Sequence, residues 1–193
     1  MRLATLGSGS KGNATLLDTG DGLLLIDCGL SARETERRMK DLDLSFSDLL
    51  GILVTHEHAD HIGGVSAVAS KSGAPVYATR GTSRKLKCSA EVIRAEEEFS
   101  VSGSSVIILP VAVPHDAREP VQFTFRLEGI KLGILTDLGS VTPHVVEEFS
   151  GCHSLLVESN HCREMLSKGA YPAALKRRIL GPWGHLSNEQ TAQ

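Results

Sequence analysis

Four side chains suited to binding divalent metals fall within six residues: His56, His58, Asp60 and His61, in the run Thr55-His56-Glu57-His58-Ala59-Asp60-His61. Alternate spacing lets His56 and His58 point the same way toward one ion. Asp60 and His61, adjacent and turning into a helix, face a second ion close by. Imidazole together with carboxylate suits zinc, manganese or iron(II) better than calcium or magnesium. A solvated histidine-rich loop is the plain alternative, but crowded imidazoles repel once protonated and lose stability without a metal. The cluster therefore reads as a site for divalent ions, and the chain as a hydrolase that uses them.

Such a cluster needs a rigid frame. Short apolar runs spaced by Gly, Ser, Asp and Pro predict strands at residues 2–6, 14–17, 23–26, 49–54, 75–78 and 106–113. The cluster thus lies in the loop after a strand, with Ile62-Gly63-Gly64-Val65 leading into a helix. Ser31-x-x-Glu34 is a capping box that opens a helix over 31–42. Strands at 121–127 and 130–135 flank a Glu128-Gly129 turn and predict a hairpin. A helix at 143–149 with Thr142 as N-cap, a buried strand at 154–158 and a helix at 172–180 follow. Two groups of strands, each followed by helices, imply two sheets packed face to face with helices outside, an α/β chain with α/β/β/α layers.

At 193 residues the chain is long enough for a substantial core and reads as one domain, 1–193. Twenty basic against 23 acidic side chains give a net charge of -3, which excludes a global field drawing the protein onto nucleic acid. Polyanion contacts must be local, and Arg80, Arg84, Lys85 and Lys87, or Lys176, Arg177 and Arg178, are the runs that could make them. Only 4% aromatic residues argue against an extended base-stacking platform. The N-terminus lacks a signal-peptide h-region and no apolar run reaches bilayer length, so the expectation is a cytoplasmic protein with no membrane partner. Cys28, Cys88, Cys152 and Cys162 form no C-x-x-C pair and read as reduced thiols, with Cys162 beside His161 as a weaker ligand alternative.

The H-x-H-x-D-H run resembles the signature of the metallo-β-lactamase fold superfamily. Leu25-Ile26-Asp27-Cys28-Gly29, Pro114-His115-Asp116 and Leu135-Thr136-Asp137-Leu138-Gly139 are similar to its further motifs, in the same order. Alone, His115 could be an ordinary loop histidine and Asp137 a turn residue; the order of motifs favours function. The resemblance implies an αββα sandwich in which His56, His58 and His115 hold a first metal. Asp60 and His61 would hold a second, and Asp137 both. It makes Asp27 the acceptor that fixes a ligand imidazole. His144 and His153 match nothing and read as surface residues.

Leu6-Gly7-Ser8-Gly9-Ser10-Lys11-Gly12-Asn13 is a Gly/Ser loop after the first strand, without the spacing of a Walker motif. Its backbone N–H groups, with Ser8, Ser10 and Asn13, could approach a phosphate. Together with Val157-Glu158-Ser159-Asn160-His161 and Trp183-Gly184-His185-Leu186-Ser187-Asn188-Glu189-Gln190, this loop resembles the WalJ/YycJ-type branch of the superfamily. That branch is related to phosphodiesterases and tRNA 3′-processing nucleases and is associated with 5′-to-3′ exonuclease activity on DNA. The resemblance implies DNA as substrate, two divalent ions (zinc or manganese, with iron as an option) and attack by a bridging hydroxide that Asp60 orients. His185, held by Glu158, would be the proton donor, and His161 a further donor or substitute ligand. The branch's closing metal-site histidine has no match, and the capping box at Ser187-Asn188-Glu189-Gln190 opens a helix just before Gln193. Both lead to the expectation of a chain missing its C-terminal segment, with closing ligand as the alternative role for His185. Rival readings are a same-fold hydrolase of small esters, thioesters, lactones or β-lactams, and a metal-binding fragment without turnover.

Overall fold

Runs of Leu, Ile and Val between Gly- and Asp-rich turns build two sheets in the computed structural model, which describes residues 1–193. The first has six strands in chain order: β1 (Arg2–Gly7), β2 (Ala14–Asp18), β3 (Leu23–Ile26), β4 (Leu49–Val54), β5 (Val76–Thr79) and β6 (Glu91–Ile93). β1–β2 and β2–β3 are antiparallel and the remaining pairs parallel. The second sheet has the order β10 (Ser154–Val157), β9 (Ile130–Leu135), β8 (Val121–Leu127), β7 (Ile107–Ala112). Of its pairs only β9–β10 is parallel.

Helices fill the crossovers. They are α1 (Ala32–Lys40), α2 (Ala59–Ile62), α3 (Val65–Ser72), α4 (Arg80–Ser83), α5 (Pro143–Phe149), α6 (Arg163–Lys168), α7 (Ala173–Leu180) and α8 (Asn188–Thr191). None is long and apolar enough to cross a membrane. The period of two along each strand sends alternate residues to opposite faces. Leu25, Ile52 and Val54 pack with Met39 of α1 and Val65 and Val68 of α3. Leu24, Ile26 and Leu53 meet Phe123, Phe125 and Ile134 across the sandwich. Val111, Leu135, Val145 and Phe149 form a third cluster beneath α5. The layers are helix, sheet, sheet, helix, as expected.

Local signals behave mostly as read. Ser31 accepts from the Glu34 N–H, but Glu34 turns its carboxylate to Arg37 and Arg38, so only half of the capping box forms. The hairpin turn puts Glu128 at φ 50 and Gly129 at φ 79, the pair of positive values that matches strand twist in a two-residue loop. One reading is corrected. The strand expected to be buried over 154–158 ends at Val157 and lies at the sheet edge, with Leu155 46% exposed. Its apolar composition resembles a core strand, yet it pairs only with β9. The short α8 is held by tertiary bonds, from Thr191 Oγ1 to the Glu158 carbonyl at 2.7 Å and from Asn188 N–H to the His161 carbonyl at 2.9 Å.

Parallel pairing is what positions the site. β3 and β4 end side by side, as do β9 and β10, and the Val121 N–H donates to the Thr55 carbonyl at 3.0 Å to bind the sheets together there. The segments that leave these strand ends carry Asp27, His56, His58, Asp137 and Glu158.

Candidate active site

The hub is Asp27, buried at the end of β3 in the left-handed region at φ 57. Its carboxylate accepts from Thr55 N–H at 2.8 Å, from Thr55 Oγ1 at 2.7 Å and from His61 Nδ1 at 2.8 Å. Such a conformation costs a non-glycine residue of order 1–3 kcal/mol, which the surrounding bonds offset. Close packing follows at Gly29, where an added Cβ would lie 1.8 Å from the Asp60 carbonyl, so only glycine lets α2 approach β3 this closely.

Each imidazole has one nitrogen tied and one facing inward. Thr55 Oγ1 gives its proton to Asp27, so it accepts from His56 Nδ1 at 2.9 Å. His115 Nδ1 donates to the Gly184 carbonyl at 3.0 Å, and His58 Nε2 to the Asp116 carbonyl at 3.2 Å. Carbonyl acceptors fix the tautomers. The remaining nitrogens converge: His56 Nε2 lies 2.9 Å from His58 Nδ1, which lies 3.4 Å from His115 Nε2. His61 Nε2 lies 3.1 Å from Asp137 Oδ2 and 3.7 Å from Asp60 Oδ2.

These positions fit metal ions. Asp137 Oδ2 is buried without a hydrogen-bond partner and lies 3.1 Å from His61 Nε2, so a positive charge, either a proton on the ring or a metal ion, belongs between them. Burial holds His56 well below the usual imidazole range, with His61 adding to the effect, and burial likewise lowers His115. Both offer neutral lone pairs. For His61 burial opposes charge, but Asp27 and Asp137 outweigh it and lift the imidazole well above its usual range. Three compact groups result here, His56 with His58 and His115, His56 with His61 and Asp137, and His115 with Asp137 and His185, so the alternative role of His185 as a closing ligand has a geometric basis as well.

Other expected residues are placed unequally. His185 Nδ1 lies 3.0 Å from Glu158 Oε2 and 3.2 Å from Asp137 Oδ1. Burial alone would lower His185, but the two carboxylates raise it to about 10. His185, Ser10, Asp60 and His161 line a cavity of about 650 Å³ beside the histidines. Ser8 instead lines a separate cavity of about 220 Å³ bordered by Asp27 and Glu158. Asn13 lines the same smaller cavity, and its amide nitrogen lies 2.9 Å from His61 Nε2 and 3.2 Å from Asp60 Oδ2. His161 Nε2 is buried without a partner, but His161 joins none of these groups. All four cysteines are free and none joins a metal-binding group. His144 is exposed and pairs with Glu96 at 2.9 Å. Sequence reasoning missed Thr55, which reads as the last β-branched residue of a strand, and the Gly184 carbonyl, for which no side-chain signal exists.

A family model described as Beta-lactamase superfamily domain matches residues 23–193, and the chain belongs to that superfamily, a metal-dependent hydrolase of the metallo-β-lactamase fold. Within it the chain falls in the YycJ/WalJ group. It is 38% identical over 198 residues to "Exodeoxyribonuclease YycJ" of Bacillus anthracis, spanning 100% of this chain and 75% of that protein. It is 34% identical over 200 residues to "Exodeoxyribonuclease WalJ" of Streptococcus pneumoniae, covering 100% and 74%. Among solved structures, Zn(2+)-bound PqqB from Methylobacterium extorquens shares the fold with a TM-score of 0.74 at 16% identity, over 97% of this chain and 81% of that one.

Because Asp27 orients both His61 and, through Thr55, His56, Asp27→Asn should weaken metal affinity by about 10–100-fold. Competition against a chromophoric chelator measures this. An unchanged affinity would mean that the carboxylate does not set the imidazoles.

Proposed function

We propose that the protein is a dinuclear exonuclease that hydrolyses DNA, with the 5′-to-3′ polarity that its resemblance implies. The observation that carries this reading is His185, clamped through Nδ1 by Glu158 and Asp137 on the floor of the main cavity. Its Nε2 is thereby left for the substrate side. A sugar oxygen leaves poorly without a proton, and a clamped, charged imidazole supplies one. The names of the two 38% and 34% identical relatives support the same substrate.

His56, His58 and His115 would hold one divalent ion, and Asp60, His61 and Asp137 the other, with Asp137 facing both. When bound, the ions supply Lewis-acid polarisation of a phosphoryl oxygen and an activated water. The chain does the rest. Asp60, at the cavity floor, accepts a hydrogen bond from the attacking water and aims it at phosphorus. Ser10 and the backbone N–H groups of the Gly/Ser loop face the phosphoryl oxygens from the other side of the cavity. His185 Nε2 donates its proton to the departing oxygen while Glu158 stabilises the ring.

Protein prepared without chelator should carry zinc, manganese or iron and shorten end-labelled DNA. Chelation should stop this, and manganese should restore it. Robust hydrolysis of a lactone or β-lactam, with no DNA shortening in manganese, would overturn the reading.

A further inference from the structure

The main cavity is bounded by a helical hairpin, α6 and α7, to which the mechanism above assigns nothing. Leu166, Tyr171, Leu175 and Ile179 give it an apolar wall, with Tyr171 58% exposed. Asp60, Asp116 and Asp137 also line the cavity, so a polyanion entering it meets three carboxylates. Against them stands one Lys or Arg side chain, Arg178. Its Nε donates to Asp116 Oδ2, which leaves both terminal nitrogens of the guanidinium fork free for another acceptor.

Asp116 fixes where that fork stands. The Asp116 carbonyl receives the His58 Nε2 proton, and its Oδ1 lies 3.6 Å from His58 Nε2 and 3.5 Å from His115 Nε2. Arg178 therefore sits one carboxylate away from the histidine cluster, on the hairpin wall. Its side chain is 56% exposed and accessible to a ligand. A phosphate at the histidines lies beside His185, whereas a phosphate at Arg178 lies beyond Asp116. Asp116 stands between Arg178 and the histidines, which sets the fork apart from a phosphate held at the histidines.

We infer that Arg178, oriented by Asp116, is a specificity-determining residue that takes a phosphate next to the scissile one on a single nucleic-acid strand, with an adjoining base against the Tyr171 and Leu175 wall. This rests on the nucleic-acid reading above. It explains how an acidic chain can hold a polyanion without a broad basic surface, since one forked cation set among carboxylates recognises a phosphate at one place only.

The test is the binding of a fluorescent single-stranded oligonucleotide with phosphorothioate linkages to the metal-loaded protein, between about 50 and 200 mM salt. Arg178→Met should raise Kd about tenfold at the low-salt end. It should also reduce the slope of log K against log salt by about 0.7, the contribution of one phosphate contact on a single strand. Arg178→Lys should restore the slope but only part of the affinity, because an ammonium lacks the fork. Asp116→Asn, whose amide oxygen can still accept from Arg178 Nε, should keep the Arg178-dependent slope. Metal content should stay the same in Arg178→Met. Unchanged binding and slope in Arg178→Met, no binding by the parent protein, or affinity lost only together with metal would each overturn the inference. A parent protein that binds with an Arg178-dependent slope but never shortens an ordinary DNA strand would instead reject the exonuclease reading and leave Arg178 in place.

Discussion

His185→Ala should lower turnover on ordinary phosphodiesters by on the order of a hundredfold or more and spare nitrophenyl phosphodiesters, whose leaving group departs without a proton. Metal content should not change, because the nitrogen of His185 nearest Asp137 is already engaged by Glu158 Oε2 at 3.0 Å. Glu158→Gln should reproduce the pattern. Glu158 Oε1 accepts from the backbone N–H groups of Leu138 and Leu186, bonds that a glutamine oxygen can keep. The amide nitrogen would then face His185 Nδ1 and force it to accept, which leaves a neutral ring and a weaker acid. Two substrates and a metal count decide the matter. Equal loss on both substrates, together with loss of one ion, would make His185 a ligand and remove it from proton transfer.

The second large effect concerns Asp137. Asp137→Ala deletes the buried oxygens that face both His61 and His185. The proposed shared ligand would be gone, and turnover on any ester, activated or not, should fall by about a thousandfold, the equivalent of several kcal/mol of charge stabilisation. Elemental analysis should show fewer ions per chain than in the parent. The contrast with His185→Ala is diagnostic, since one variant discriminates between leaving groups and the other does not. A fully metal-loaded Asp137→Ala protein with near-parental turnover would sink the assignment.

Much of the fold and of the site was legible because the signals are local. The H-x-H-x-D-H run brings its candidate ligands together by chain geometry, and Asp27 and Asp137 each follow an apolar strand that composition identifies. The αββα layering follows from two groups of strands, each followed by helices, and β3 and β4 are accordingly buried on both faces. What could not be read depends on contacts between distant segments. Ser154-Leu155-Leu156-Val157 has the composition of a core strand, and only the pairing order reveals an edge. Ser8 and Ser10 sit two residues apart in one loop yet face different cavities, a distinction set by backbone turns at Gly9 and Gly12, with φ 110 and 143. Arg178 was visible only as one of three adjacent basic residues. Its place in the cavity depends on Asp116, which is 62 residues away.

The six proposed ligands leave strand ends in both sheets and are scattered from His56 to Asp137, whereas the wall opposite them comes from one uninterrupted stretch, α6 and α7. For an evolving lineage these two parts have very different freedom. Any change among the scattered positions must be matched across the sandwich. The hairpin is contiguous in the gene, yet its Ile179 carbonyl accepts the His185 N–H at 3.0 Å, so its cavity face is free to vary only while that bond is kept. On the inference drawn for Arg178, the part of the molecule that meets the substrate beyond the scissile bond is thus one short continuous stretch of chain.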